Sequence, residues 1–155
     1  MTLLNKDQHA PSIWSGNFPV TSRYTYGLAG ERFFRYLKES GSFLGTYCPE
    51  CDHTYVPAAI FCERCMGSLE QWVDLGTIGE VHTFTLLYED YDGSPRDEPE
   101  VVAFIKFGDG GIVHRLGEIQ PEEVCIGMKV GAVIVPPPER QGSILDISYF
   151  RPVDL

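Results

Sequence analysis

Two Cys-x-x-Cys pairs stand close together in the middle of the chain, and they restrict its fold more than any other feature. The stretch TYCPECDHTYVPAAIFCERC, residues 46–65, holds four of the five cysteines. Each pair can bring two sulfur atoms onto one metal ion, and two pairs complete a tetrahedron that has no open position. Such a closed site contributes folding energy and leaves no position for a substrate. We therefore expect a structural metal site whose ligands are Cys48, Cys51, Cys62 and Cys65.

The expected metal is zinc. The beginning of the sequence, MTLLNKDQHAPSIWSG, lacks the regions of a signal peptide, and no apolar run is long enough to span a membrane. We therefore expect a cytoplasmic protein without a membrane partner, and disulfides are rare in the cytoplasm. Iron in a rubredoxin-type centre uses the same four sulfurs, so iron is the alternative metal. His53 is adjacent, but four sulfurs already complete the site and we expect this histidine to be a bystander.

The charge of the chain is acidic and unevenly distributed. The net charge is −10, yet residues 1–38 carry five cations against two anions, so the remaining residues carry −13. Much of that charge lies in one stretch, YEDYDGSPRDEPE. Because contact with phosphates needs clustered Lys and Arg, this balance argues against a nucleic-acid partner. The stretch lacks the spacing of an EF-hand calcium loop, and we expect a solvated acidic loop.

The first part of the chain, residues 1–42, is predicted to form an extended arm followed by one helix. The predicted helix is GLAGERFFRYLKESG, residues 27–41. Its apolar residues Ala29, Phe33 and Leu37 recur every four positions and therefore lie on one face of a helix. On the polar side Glu31 can pair with Arg35, and Gly41 is expected to end the helix. The arm holds more aromatic residues than a solvated tail needs. We expect it to contact a partner through Trp14, Phe18, Tyr24 and Tyr26.

Residues 43–75 form the cysteine module, and residues 76–155 are predicted to form short strands. The expected strands lie in TIGEVHTFTLLYEDY, EVVAFIKF, GIVHRLGEI, KVGAVIVPPP and SILDISYF. The second and third are joined by GDGG, a turn sequence typical of a hairpin. QPEEVCIG is expected to be a short helical turn between the third and fourth strands. This is the order of a five-stranded OB-fold barrel, so the predicted fold class is mainly β.

The first of these strands shows a regular alternation. It predicts that Val81, Thr83 and Thr85 face one side of the sheet. The other side is then formed by His82, Phe84, Leu86 and Tyr88.

No residue of the chain is predicted to be catalytic. Cys125 has apolar neighbours in EEVCIGMKVG, and we expect a buried structural cysteine rather than a nucleophile. His82 and His114 lie on predicted strands, where a core or surface histidine is more common than a general base. FGDGG lacks the helix and the Lys-Ser/Thr of a phosphate-binding loop, so we interpret it as a hairpin turn.

The order of helix, cysteine module and barrel resembles that of a known family. Its members are small proteins, long called domains of unknown function, that join a rubredoxin-like zinc ribbon to an OB-fold and accompany acyl-CoA enzymes. The resemblance covers residues 33–152 and is carried by GTYCPEC, VP ahead of CERC, Trp72 followed by GTIGEVHTFT, IGMKV and YFRP. Asp52 and Met66 depart from the pattern, because a Gly commonly follows each cysteine pair. The arm sequence PSIWSGNFPVTSRYTYGLAG is also similar to small subunits of benzylsuccinate-pathway (benzoylsuccinyl-CoA) thiolases of anaerobic aromatic degradation.

The resemblance implies a non-catalytic subunit in a hetero-oligomer with a thiolase-like acyl-CoA enzyme. The reactive groups would then belong to the partner, which would also hold most of the coenzyme A thioester. We expect the basic side of the helix to contact CoA phosphates through Arg32, Arg35 and Lys38. A stand-alone acyl-CoA enzyme is one alternative. The other alternative is an OB-fold protein that binds single-stranded nucleic acid. The bases of the strand would then stack on a platform formed by Phe104, Lys106, Phe107 and Arg115.

Overall fold

The structure, a computed structural model, describes residues 25–90 and 92–153. These residues form one α-helix, α1 (Gly27–Ser40), and a cysteine module of three strands, β1 (Leu44–Cys48), β2 (His53–Tyr55) and β3 (Gln71–Asp74). Five further strands follow, namely β4 (Ile78–Glu89), β5 (Pro95–Phe107), β6 (Gly110–Arg115), β7 (Lys129–Ile134) and β8 (Ile147–Pro152). Short 3-10 turns cover Pro121–Glu123, Pro137–Glu139 and Ile144–Asp146. The chain is mainly β, as the sequence predicts.

The helix α1 begins and ends close to the predicted residues. Phe33 and Leu37 form its buried side, and Glu31 forms an ion pair with Arg35 on the exposed side. Gly41 ends the helix at a φ of 67°, which glycine adopts without steric cost, and its N–H donates to the Leu37 carbonyl at 2.9 Å. Of the helices that the structure describes, none has the length and apolarity needed to cross a membrane. The described residues do not include three aromatic residues of the predicted arm, Trp14, Phe18 and Tyr24.

The cysteine module is a three-stranded antiparallel sheet whose two ends meet at the barrel. β1 lies in the middle and pairs with β2 on one side and β3 on the other. Phe43, just before β1, donates its N–H to the Gly76 carbonyl at 3.2 Å. The Phe43 carbonyl accepts the N–H of Leu75 at 2.9 Å. The module therefore leaves and re-enters the rest of the fold at adjacent points.

The five remaining strands form one antiparallel sheet in the order β6-β5-β4-β7-β8. The sheet curls until its edge strands touch at one parallel bridge, between Leu116, which follows β6, and Phe150 in β8. At the same place the Gly117 N–H donates to the Phe150 carbonyl at 2.8 Å. The strand order, and the 3-10 turn Pro121–Glu123 between β6 and β7, are those of the predicted OB-fold.

The alternation along β4 is interrupted by an irregularity between Val81 and Thr83. The sequence pattern predicts that Val81 faces away from Phe84 and Leu86, but the structure packs all three against the core. His82 and Thr83 are both exposed, because one extra residue shifts the side-chain alternation by one position. The predicted division of this strand into two faces is therefore wrong at Val81.

Phe43 lies where the helix, the cysteine module and the barrel meet. It is fully buried, and its ring centroid lies 6.3 Å from that of Phe33 in α1, 5.0 Å from Phe107 in β5 and 5.9 Å from Phe150 in β8. Aromatic pairs at such distances contribute about 0.5–1.5 kcal/mol each beyond the area that they bury. One hydrophobic core thus includes α1 and the five-stranded sheet. The cysteine module has a smaller core of its own, formed by Cys48, Tyr55, Cys62 and Leu69.

Cys125 is exposed, so the prediction of a buried structural cysteine is wrong. Its apolar neighbours do not share one environment, because Val124 is 7% exposed and packs in the core whereas Ile126 is 68% exposed. The chain turns here through Gly127, whose φ is 91°, before β7 begins. An apolar run predicts burial only where the backbone has a regular period, and this loop has none.

Candidate metal centre

The four predicted cysteines come together at one end of the cysteine module. Cys48 ends β1 and Cys51 lies in the turn that follows, while Cys62 and Cys65 lie in the loop between β2 and β3. Their sulfur atoms all lie within 4.8 Å of one another, and the sulfurs of Cys48 and Cys65 are 3.7 Å apart. A tetrahedral zinc with metal–sulfur bonds of about 2.3 Å needs sulfur–sulfur distances of about 3.8 Å. The four side chains therefore fit a closed four-sulfur site.

Each cysteine pair is followed by a residue in the left-handed backbone region. Asp52 has a φ of 47° and Met66 a φ of 62°. Asp tolerates this conformation better than most residues, and its carboxylate accepts the Tyr47 hydroxyl at 2.8 Å. Met66 is held by its N–H, which donates to the Cys62 carbonyl at 2.9 Å. Both cysteine pairs are thus followed by a residue in the left-handed conformation, although neither residue is the glycine that commonly stands there.

Tyr55 supports the site from beneath, a role that the sequence analysis misses. Its hydroxyl lies 3.2 Å from the Cys62 sulfur and accepts the Glu63 N–H at 3.0 Å, so its proton is free to be donated to the sulfur. The Arg64 N–H also points to this sulfur, at 3.4 Å. These donors, Tyr55 above all, lower the pKa of Cys62 to about 5, which favours the thiolate that zinc requires. The pairing of β1 with β2 places Tyr55 here, and no local sequence pattern announces it.

The thiols of Cys48 and Cys51 are less readily ionised than that of Cys62. Burial raises the pKa of the Cys51 thiol to about 12, and burial also raises the pKa of Cys48. Zinc must displace their protons on binding, so its affinity rises with pH.

His53 is not part of the sulfur cluster. Its ring packs edge-on against Tyr55 at 4.7 Å, and its Nδ1 lies 3.5 Å from the carboxylate of Asp109 in the β5–β6 turn. The same carboxylate accepts the Thr54 N–H at 3.0 Å, and the Gly111 N–H donates to the Val56 carbonyl at 3.1 Å. The segment between the cysteine pairs is thereby fixed to the barrel.

The three helix cations predicted to contact CoA lie in two different grooves. Arg32 stacks its guanidinium over the Trp72 ring, 4.7 Å from the ring centroid. It lines a cavity of about 340 Å³ between α1 and the cysteine module, together with Leu28, Ile60, Leu69, Glu70 and Trp72. Arg35 and Lys38 line a second cavity of about 340 Å³ with Phe34 and Gly142. The helix thus presents Arg32 to one groove and the other two cations to another.

Reactive side chains outside the cysteine cluster stand apart from one another. In the described ranges no hydrogen bond joins a cysteine thiol or a serine hydroxyl to a histidine, although a nucleophile needs such a base within reach. His82 is exposed and packs against Phe104. His114 is half-buried beside Phe150, and burial lowers its pKa.

A four-sulfur ribbon followed by a five-stranded OB-type sheet defines the class of zinc-ribbon/OB-fold proteins. The family models that match the chain describe the same two domains. Residues 37–70 match the model described as the ChsH2 rubredoxin-like zinc ribbon domain, and residues 72–135 match the ChsH2 C-terminal OB-fold domain. All four cysteines lie inside the first match, so the metal centre is a structural zinc site.

The particular family follows from individual relatives. A DUF35 domain-containing scaffold protein of Methanocaldococcus jannaschii is 30% identical over 104 residues, which cover 66% of this chain and 74% of the relative. A DUF35 protein of unknown function from Sulfolobus solfataricus has a solved structure that is 30% identical and covers 69% of this chain and 78% of its own, with a TM-score of 0.60. The chain belongs to the DUF35 family. The structure of the Ltp2-ChsH2(DUF35) aldolase, 20% identical, shares the fold with a TM-score of 0.58 over 84% of this chain and 98% of that chain.

Proposed function

We propose that the chain is a non-catalytic subunit that binds a thiolase-like acyl-CoA enzyme in the cytoplasm, supports its assembly and assists its binding of a CoA thioester. The observation that carries this proposal is the exposed apolar groove between α1 and the zinc ribbon, beside a metal site that has no open position. The names of two relatives support it, since one is called a scaffold protein and another is an aldolase named Ltp2-ChsH2(DUF35).

The groove has the character of a docking surface for another protein. At its helix edge Leu28 is 72% exposed, and on its ribbon side Ile60 is 39% exposed. Exposed apolar groups on one side of a protein often mark an interaction site, and their burial contributes about 25 cal/mol per Å². The arm precedes α1 in the sequence, and we propose that its aromatic residues Trp14, Phe18, Tyr24 and Tyr26 also contact the partner. Tyr26, the last of them, is 62% exposed.

The CoA contacts in this proposal come from Arg32, Arg35 and Lys38. A guanidinium that stacks on an indole keeps its N–H groups directed outward in its own plane, where they can donate to phosphate oxygens. Arg32 is held in this way over Trp72, and in the described chain it has no carboxylate partner. Arg35 and Lys38 lie in the neighbouring groove, where Glu31 already pairs with Arg35. Arg32 is therefore the strongest of the three candidates, and we assign it to the phosphate end of CoA.

The thiolase-like partner in this proposal rests on the resemblance of the helix, ribbon and barrel to the family, and the pathway rests on the similarity of the arm. We propose a thiolase of aromatic degradation, with benzoylsuccinyl-CoA thiolase as the narrowest candidate. Co-expression of the tagged chain with its native genome neighbours, followed by mass spectrometry of the purified complex, tests this directly. We expect an untagged thiolase-like protein in constant ratio to the chain. Recovery of the folded, zinc-loaded chain alone would contradict the proposal.

Deletion of residues 1–26 separates docking from folding. The truncated chain should retain its zinc and its thermal transition, because the core residues begin after this point. It should lose the partner in the same purification, since aromatic side chains often dominate interface energies. Unchanged capture of the partner by the truncated chain would show that the arm is not a contact.

The CoA contacts are tested in the reconstituted complex. Arg32→Ala and Arg35→Ala should each raise KM for the CoA substrate by about threefold to tenfold, because each removes a charged hydrogen bond that is partly screened by water. The value of kcat should stay near that of the wild type, which is the pattern for a lost binding contact. Lys106→Ala, a cation on the barrel, is the matched control. If KM in every variant equals that of the wild-type complex, the helix does not contact CoA and the partner alone binds it.

A further inference from the structure

The outer half of the β4–β5 hairpin extends beyond both of its neighbouring strands. β7 pairs with β4 only along residues 78–80, and β6 pairs with β5 only from Val102 onward. The last backbone contacts on the two sides involve Val81, whose N–H donates to Met128 at 2.9 Å, and Val101, which accepts from Leu116 at 2.8 Å. Beyond these points, in the part of the hairpin that the structure describes, the two strands pair only with each other.

The two free edges of this hairpin differ in what they can bind. The edge of β5 contains Pro95 and Pro99, which have no N–H and cannot extend a hydrogen-bonded ladder. Residues 83–89 of β4 have the sequence TFTLLYE, with no proline or glycine and with mostly β-forming side chains. A strand edge without protective residues is a template for another strand. The edge of β4 is therefore the receptive one.

Side chains on the same segment add apolar and charged contacts. Leu87 and Tyr88 are 38% and 61% exposed, and they lie at a second irregularity in the pairing of β4 with β5, between Leu87 and Glu89. Residues 88–100 contain six carboxylates and one cation, Arg96. Arg96 forms ion pairs with Asp90 and Glu100, the second at 2.9 Å. Four carboxylates lack a cationic partner in the described chain, namely Glu89, Asp92, Asp97 and Glu98.

We propose that the free edge of β4 binds an extended segment of a partner polypeptide that carries lysine or arginine, and that this segment adds as a strand beside residues 83–89. Backbone hydrogen bonds supply the affinity, Leu87 and Tyr88 contact its side chains, and the carboxylates select its cations. The charge disfavours a second copy of this chain as the occupant, because each copy has a net charge of −10 and its hairpin is among its most acidic parts. The proposal uses none of the residues of the helix–ribbon groove and does not rest on the proposed function.

The test uses the full-length, zinc-loaded chain and a short synthetic peptide of alternating valine and lysine. We expect amide chemical-shift changes and slowed amide exchange confined to residues 83–89, and binding that weakens as the salt concentration rises. A peptide with glutamate in place of lysine, and one with proline in place of the central valines, should both fail to bind. The first control removes the charge complementarity and the second removes the backbone donors.

Variants of the chain complete the test. Tyr88→Ala should lower the affinity of the chain for the valine–lysine peptide by at least about tenfold, because an aromatic interface residue often carries much of the binding energy. Val113→Ala, at a residue 63% exposed on β6, is the matched control and should leave binding unchanged. The proposal is overturned if the peptide does not bind at millimolar concentration, if the proline peptide binds equally well, or if the shifts lie outside β4. Self-association of the chain through residues 83–89 would likewise overturn it.

Discussion

Replacement of Tyr55 by Phe tests whether the hydroxyl beneath the zinc ribbon stabilises the metal centre. The substitution keeps the ring, which packs against His53 at 4.7 Å and fills the small ribbon core. It removes only the oxygen that contacts the Cys62 sulfur at 3.2 Å and the Glu63 N–H at 3.0 Å. Packing is therefore nearly constant, and any effect on zinc comes from the hydrogen bonds.

The expected magnitude follows from the charge of the acceptor. A hydrogen bond to a charged group contributes about 1.5–3 kcal/mol, and the zinc-bound sulfur of Cys62 is a thiolate. The Glu63 N–H also loses its partner, but water can reach this part-buried group and limit that cost. Since about 1.4 kcal/mol corresponds to a factor of ten, we expect zinc affinity to fall by about 10-fold to 100-fold, as is usual when a group that orients a metal ligand is lost.

The assay is competition for zinc between the protein and a chromophoric chelator at neutral pH. Tyr47→Phe is the matched control, because Tyr47 lies in the same sheet but donates its hydroxyl to the exposed Asp52, at 2.8 Å. That variant should bind zinc almost as tightly as the wild type. The reasoning is refuted if Tyr55→Phe competes as well as the wild type, or if the two variants lose affinity equally.

Two further substitutions examine the rest of the fold. Phe43→Ala should lower the free energy of unfolding by about 3–5 kcal/mol, because the ring is fully buried among three others, and α1 and the sheet should still unfold in one transition. Circular dichroism during urea unfolding measures this, and a loss below about 1 kcal/mol would contradict it. Cys125→Ala should change stability by less than about 0.5 kcal/mol because the thiol is exposed, and a larger loss in the same urea experiment would show that the side chain is packed after all.

The parts of the fold that the sequence predicts are those with a strong local signal. The spacing of the cysteines predicts the cluster of four sulfurs that the structure shows, and the periodic Phe33 and Leu37 predict the buried side of α1. The hairpin turn GDGG and the short 3-10 turn of Pro121–Glu123 place the strands in the OB order. In each case the chemistry or the backbone conformation depends on residues close together in the chain.

The features that sequence analysis misses depend on tertiary structure. The extra residue at His82 reverses the alternation of β4, and only the pairing of β4 with β5 reveals it. Cys125 lies in a loop whose direction is set by Gly127, so its apolar neighbours do not report its own exposure. The contact of Arg32 with Trp72 joins the helix to the ribbon across forty positions of sequence. From their spacing in the sequence, Arg32, Arg35 and Lys38 are expected to share one face of the helix. In the folded chain Arg32 lines one groove and the other two cations line another.

The closed ends of the zinc ribbon give the chain a second, independent level of cooperativity. Residues 44–74 start and finish at the paired backbones of Phe43, Leu75 and Gly76, and they have a small core of their own, although Val56 packs in the main core and contacts the barrel. Such a segment can open as a local unit while the helix and barrel remain native, because its ends are already held together and little loop-closure entropy is at stake. Loss of zinc would then open one wall of the proposed docking groove without unfolding the barrel. In a cell short of zinc, the family member would persist as a folded barrel that lacks one wall of its proposed partner-binding surface.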